Sequence, residues 1–283
     1  MIKIFQPFTI RAKTRRLARF FRVAILVFAV GITVAAGIST PFTPNTGPSL
    51  LILGDSITWG TEYFAKSQKL IADDAQWTNI VIDGQYSRRV AFPTPNASTK
   101  YSGVKTFKKL SASGLKADAV IVALGSNDVA IETKESVYEL IIRDLLDTVG
   151  NVPVTWLTVN RRDTPAIAKR SVVFNQVLAR IAPEYPNLVI EDWYSVIAKR
   201  TKWMAFDKIH LTPSGYQARA KLHQRLAREL FDRHIIATTP TTTTTTSTTV
   251  PTTVPTTVPV TTVPATTIPP APSDTSPTST PAP

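Results

Sequence analysis

Four short stretches of this chain carry side chains whose types could act together: Gly54-Asp55-Ser56, Gly84, Gly125-Ser126-Asn127-Asp128 and Asp207-Lys208-Ile209-His210. A serine hydroxyl is a weak nucleophile until a base takes its proton, and an imidazole, here His210, suits that task. Asp207, three residues before it, can fold its carboxylate onto the far ring nitrogen, fixing the tautomer and stabilising the imidazolium. Attack on a carbonyl leaves a negative oxygen that needs donors already aimed at it. Gly84 offers a backbone N–H with no side chain in the way, Asn127 a side-chain amide, and Ser56 its own N–H. The chemistry this set could do is acyl transfer from an ester through Ser56. Asp192 is a rival for the acid, and the three-residue spacing to His210 favours Asp207.

Such a set works only if one framework brings it together. The apolar run Leu50–Leu53 stops at Gly54, as a strand inside a parallel sheet does. Similar runs cover 79–83, 119–124, 154–159 and 188–192, and between them lie helical patterns. One helical stretch runs from Ser56 toward Asp73, another covers 104–110. A third has capping-box spacing at Ser136 and Glu139, places Leu140, Ile141, Leu145 and Val149 on one face, and ends at Gly150. Two more cover 171–181 and 214–231, the latter with Leu222, Leu226 and Leu230 on its apolar face. Strands alternating with helices predict the α/β class: a three-layer α/β/α sandwich around a five-stranded parallel sheet. In such sheets, sites form just beyond the carboxyl ends of the strands. Ser56, Gly84 and Asn127 all follow strand ends.

The order Gly-Asp-Ser, Gly, Gly-x-Asn-Asp, Asp-x-x-His resembles the SGNH (GDSL-type) hydrolases across roughly residues 50–231. The resemblance implies a flavodoxin-like sandwich and a triad of Ser56, Asp207 and His210. It also implies an oxyanion hole from Ser56, Gly84 and Asn127, and no cofactor. The chain has no Gly-x-Ser-x-Gly elbow, which disfavours the α/β-hydrolase fold. Further stretches are similar to the extracytoplasmic SGNH domains that stand behind membrane acyltransferase bundles and O-acetylate peptidoglycan and surface polysaccharides. These are Asp83-Gly84 with Ser87-Arg88-Arg89, Val159-Asn160-Arg161, Asp192-Trp193-Tyr194 and the run 210–215. This chain has one apolar segment where those proteins have a bundle, so hydrolysis is favoured over transfer.

Other residues near these motifs have simpler readings. Asp55 and Asp128 hold turns. His223 and His234 lack an acidic cluster, so no metal site is expected. Trp156, Trp193 and Trp203 read as core or cleft wall. Arg88 and Arg89 follow Gly84 directly and read as an ordinary solvated loop; the alternative is substrate binding, with charge-assisted bonds to an anionic envelope polymer.

Composition divides the chain. Seven of the 32 basic residues fall in residues 1–48, which hold no acid, so about half of the +12 net charge is N-terminal. That placement, beside an apolar segment, argues against a nucleic-acid partner. Residues 1–22 read as a basic cytoplasmic leader and 23–40 as a signal anchor, with cleavage as a signal peptide at Ala35-Ala36-Gly37 the alternative. The sixteen uncharged residues from Val23 to Ile38 make a helix somewhat short of the roughly 30 Å hydrocarbon core. Residues 41–48 read as a linker and 49–237 as one domain. Residues 238–283, Thr and Pro with TTVP repeats, read as a disordered stalk that could associate with a cell wall. No cysteine is present, so neither disulfides nor thiolate metal sites are available. The expectation is a membrane-tethered esterase outside the cytoplasm, acting on O-acyl groups, acetyl above all, of an envelope carbohydrate. The alternatives are an O-acyltransferase using the same triad and a non-catalytic surface binding protein.

Overall fold

The computed structural model describes residues 37–44, 47–74, 76–95 and 101–239. The apolar stretch 23–36 and the tail from Pro240 lie outside them, as do the anchor and stalk expectations that fall there. Among the described residues no helix is long and apolar enough to cross a membrane.

Six strands form one sheet: β1 (Ile38–Ser39), β2 (Ser49–Gly54), β3 (Asn79–Gly84), β4 (Ala119–Ala123), β5 (Val154–Leu157) and β6 (Leu188–Glu191), in the order β1-β3-β2-β4-β5-β6. The last five are parallel, as the alternating pattern predicts. β2, β3 and β4 are buried along their whole length, which is why they read as unbroken apolar runs. Their side chains still alternate. Leu51, Leu53, Val81, Val120 and Val122 face one core, Leu50, Ile52, Ile80, Ile82 and Ile121 the other. On the first face pack α3 (Gly103–Ala112), α5 (Glu135–Val149) and α6 (Pro165–Ile181). On the second lie α1 (Ser56–Ala65), α2 (Ser67–Ala72) and α8 (Pro213–Thr238), while the short α4 (Asp128–Ile131) and α7 (Trp193–Ala198) follow strand ends. Register does the positioning: Gly54 pairs with Gly84 on one side and Ala123 on the other, so three chains leave the sheet at one edge.

The structure corrects several sequence readings. A sixth strand, β1, runs antiparallel to β3, pairing Ile38 with Gly84 and Ser39 with Asp83. Thr40 extends this edge, accepting from Ile82 N at 2.9 Å and donating to Ile80 O at 3.1 Å. Residues 38–40 are therefore sheet edge, not the end of an apolar span. In the stretch read as a linker, Thr43 N donates to Asn79 Oδ1 at 3.0 Å and Phe42 packs against the core. α5 begins one residue before the proposed cap, with Lys134 at the N-cap and no side-chain cap bond. Its core face is Ile141, Ile142, Leu145, Leu146 and Val149, while Leu140 is exposed. α6 starts at Pro165, earlier than expected, because Thr164 caps Ile167 N and proline suits the first helical position.

Candidate active site

Ser56 is the first residue of α1, directly after the β2 turn. Asp55 caps that helix by accepting from Ile57 N at 2.9 Å. First-turn N–H groups have no intrahelical acceptor, so the Ser56 amide points out of the helix toward the space in front of its own hydroxyl. Burial raises the Asp55 carboxyl above its ordinary range, opposed by the Ile57 N–H and by the charges of His210, Arg219 and Arg88.

His210 and Asp207 sit on a loop closed by a bridge between Met204 and Leu211. Asp207 Oδ1 accepts from the N–H groups of Ile209 and His210, both at 2.9 Å, an Asx-type turn. Lys208, between them, takes a left-handed φ of 58°, which costs about 1–2 kcal/mol for a residue with a Cβ. The turn leaves Asp207 Oδ2 at 2.7 Å from His210 Nδ1, and His210 Nε2 at 2.9 Å from Ser56 Oγ. One tautomer satisfies both contacts: Nδ1–H donates to Asp207 and Nε2 accepts from the serine hydroxyl. Burial pushes the Asp207 carboxyl up, but the bonds from the His210 ring and from the two N–H groups outweigh it, and the carboxyl lies below its ordinary range. Asp207 is thus an anion held beside the base.

Gly84 ends β3 opposite Gly54. A Cβ there would come within 2.4 Å of Trp59 N, so only glycine lets α1 approach this strand end. Asn127 follows Gly125, whose φ of 121° suits glycine. The Asn127 amide donates one hydrogen to Arg88 O at 2.9 Å, which orients the group and leaves its second hydrogen available. The structure therefore gathers Ser56, Asp207 and His210 into one hydrogen-bonded chain, with Gly84 and Asn127 at neighbouring strand ends.

Arg88 and Arg89 are neither a solvated loop nor open to a polymer. They are 2 % and 3 % exposed. Arg88 donates to Gly54 O at 2.9 Å, Asp83 O at 2.7 Å, Asp83 Oδ1 at 2.5 Å and Gln85 Oε1 at 3.1 Å, so its fork ties the ends of β2 and β3 together. Arg89 pairs with Asp128 at 3.2 Å and with Glu132. Asp128 also accepts from Val90 N, at 3.1 Å. Burial drives its carboxyl up to about 6 despite the Arg89 charge. Charges with no place in water need partners, and these have them.

The rival acid Asp192 caps α7, accepting from Ser195 N at 3.1 Å and Thr158 Oγ1 at 3.3 Å. His223 is fully buried with its Nδ1 3.0 Å from Ser67 Oγ, and burial followed by the Arg219 charge holds it neutral. Trp156 is core and Trp193 lies under the Arg219 guanidinium, 4.6 Å from ring to cation. Among the described residues no three His, Cys, Asp or Glu side chains group as a metal site. Sequence reading passed over the aromatic side chains beside the site, Trp59, Tyr63 and Tyr86, although Trp59 and Tyr63 fall on the Ser56 face of α1 by simple helical spacing.

Comparison with known proteins bears on this arrangement. Residues 52–218 match the model of the GDSL-like lipase/acylhydrolase family. The peptidoglycan O-acetyltransferase OatA of Listeria monocytogenes is 30% identical over 180 residues, which is 64% of this chain but 24% of OatA. A lipase/acylhydrolase from Enterococcus faecalis has a similar structure, with a TM-score of 0.52 at 17% identity over 66% of this chain and 96% of that one. Est24, a carbohydrate acetylesterase from Sinorhizobium meliloti, gives 0.52 at 16% identity over 66% and 99%. At such identities the two structures speak for the fold.

Proposed function

The chain belongs to the GDSL-like lipase/acylhydrolase (SGNH) family, whose chemistry is that of ester bonds, and from that premise we propose that it is an extracytoplasmic serine esterase removing O-acyl groups, acetyl foremost, from a cell-envelope carbohydrate. The observation that carries the reading is the continuous chain Ser56 Oγ, His210 Nε2, His210 Nδ1, Asp207 Oδ2, with contacts of 2.9 and 2.7 Å. Ser56 Oγ attacks the ester carbonyl as His210 Nε2 takes its proton, and Asp207 stabilises the imidazolium. The oxyanion meets the Ser56 and Gly84 N–H groups and the free hydrogen of Asn127 Nδ2. Collapse expels the alcohol with the proton from His210. Water, deprotonated by the same imidazole, then attacks the acyl-serine and releases the acid.

A short acyl group suits the space available. The cavity bordered by Ile57, Ser126, Asn160 and Ile209, neighbours of the triad, is about 10 Å³, room for roughly one water. The setting outside the cytoplasm rests on the basic leader and apolar run of the sequence. Transfer is the second reading, favoured by the 30% identity to an O-acetyltransferase. It differs only in whether water or a glycan hydroxyl resolves the acyl-serine.

The test is turnover of p-nitrophenyl acetate, then of an O-acetylated glycan, by the full chain and by Ser56→Ala. Serine-dependent release of acetate supports the esterase. Acetylated glycan accumulating faster than free acetate would replace hydrolysis with transfer, and absence of serine-dependent turnover on any short ester would refute both.

A further inference from the structure

Aromatic side chains gather at one side of the nucleophile. Trp59 and Tyr63 lie three and seven residues beyond Ser56 on α1, so all three share a helix face. Helical side chains lean toward the N-terminus, here the end that carries Ser56. The Trp59 and Tyr63 rings stack with centroids 4.7 Å apart and planes 9° from parallel. Tyr86, two residues after Gly84, adds a third ring 4.9 Å from Trp59. The Trp59 backbone abuts Gly84, as the 2.4 Å approach of a Cβ built there shows. The group therefore begins at the oxyanion side of the site.

Packing explains only part of this cluster. Phe64 stacks on the buried Tyr216 at 5.2 Å and reads as the rim of the core. Tyr63 is 51 % exposed, with the Lys66 ammonium 5.6 Å from its centroid. A further ring, Phe206, is 97 % exposed and immediately precedes Asp207. Open aromatic surface continuous with a catalytic serine is binding surface.

The chemistry of these rings selects the occupant. Each ring of the stack pairs an apolar face with a polar tip: an indole N–H or a phenol hydroxyl. A pyranose has the complementary form, with C–H groups on its faces and hydroxyls at its edge. A long acyl chain would need an enclosed apolar channel, whereas the cavity beside the triad is about 10 Å³. A second copy of the chain seated here would cover the approach to Ser56.

We propose that Trp59, Tyr63 and Tyr86 form a stacking platform for a pyranose ring of the substrate, holding the glycan while its ester reaches Ser56. The platform rests on the carbohydrate-ester reading above and adds the residues that would select a ring-bearing alcohol over a small one.

The experiment uses the full chain, as wild type, Trp59→Ala, Tyr63→Ala and Tyr63→Phe. Two measurements are made: kcat/KM on triacetin and on a panel of O-acetylated gluco-, xylo- and chito-oligosaccharides, and tryptophan-fluorescence titration of the Ser56→Ala chain with the same panel. The platform predicts a fall of about tenfold on the best oligosaccharide for each alanine variant, the size of one aromatic contact, carried by KM. The loss on triacetin should be several-fold smaller, and Tyr63→Phe should keep most of the wild-type value. Equal losses on both substrates, or none, would overturn it. So would a wild-type dimer that Tyr63→Ala converts to monomer. Hydrolysis of triacetin with no oligosaccharide bound by Ser56→Ala removes the platform and leaves the esterase. Binding that Trp59→Ala abolishes, in a chain that hydrolyses nothing, removes the esterase and leaves the platform.

Discussion

Proton transfer at Ser56 runs through half-buried groups held by one tight turn, whereas the donor side of the site is held by fully buried arginines that reach across three strand ends. Asp207 and His210 are three residues apart, their side chains about a third exposed, and their geometry comes from bonds inside residues 205–210. Arg88 and Arg89 instead join Gly54, Asp83 and Asp128, residues brought together by the register of β2, β3 and β4. The first arrangement is open to substrate and leaves the base free to exchange its proton. The second keeps Gly84 and Asn127 fixed by placing charge where any loss leaves a partner stranded. Activity and stability should therefore separate between the two regions.

Asp207→Asn breaks the comparison on the activity side. With the tautomer no longer fixed, kcat should fall by about 10⁴-fold, as when a triad carboxylate is neutralised. The melting temperature should move by only a few degrees, since the pair is partly exposed and contributes about 1 kcal/mol at most. A large loss of stability with activity per folded molecule intact would contradict the division.

Arg88→Met reverses the pattern. It leaves the Asp83 carboxylate buried without its cation, at a cost of about 3–5 kcal/mol that chemical denaturation can read. The protein that stays folded should keep activity within about tenfold, because Asn127 bonds the backbone carbonyl of residue 88 and not its side chain. A stable variant would show that the guanidinium is not what ties β2 to β3.

Much of this was legible in the residues themselves. Ser56, Gly84, Asn127, Asp207 and His210 carry their functional groups openly, and their places follow from strand ends and one local spacing. The parallel sheet was legible because its central strands are buried on both faces and read as uninterrupted apolar runs. The burial of Arg88 and Arg89 was not, because their partners are supplied by register and by residues up to 43 positions away. β1 has two residues, too few for a periodicity, and follows an apolar run that reads as a membrane segment. The α5 cap failed because Ser136 and Glu139 fit a capping box while the helix had already begun at Glu135. Trp59 was passed over because its setting depends on Tyr86, 27 positions later.

The central claim is that Ser56 is the residue that becomes acylated, and the most direct measurement is mass spectrometry of the full chain after reaction with a fluorophosphonate probe. The account predicts one adduct on the peptide that contains Ser56, none in Ser56→Ala, and slowed labelling in His210→Ala. An adduct on any other residue, or a folded wild-type chain that stays unlabelled, would contradict it.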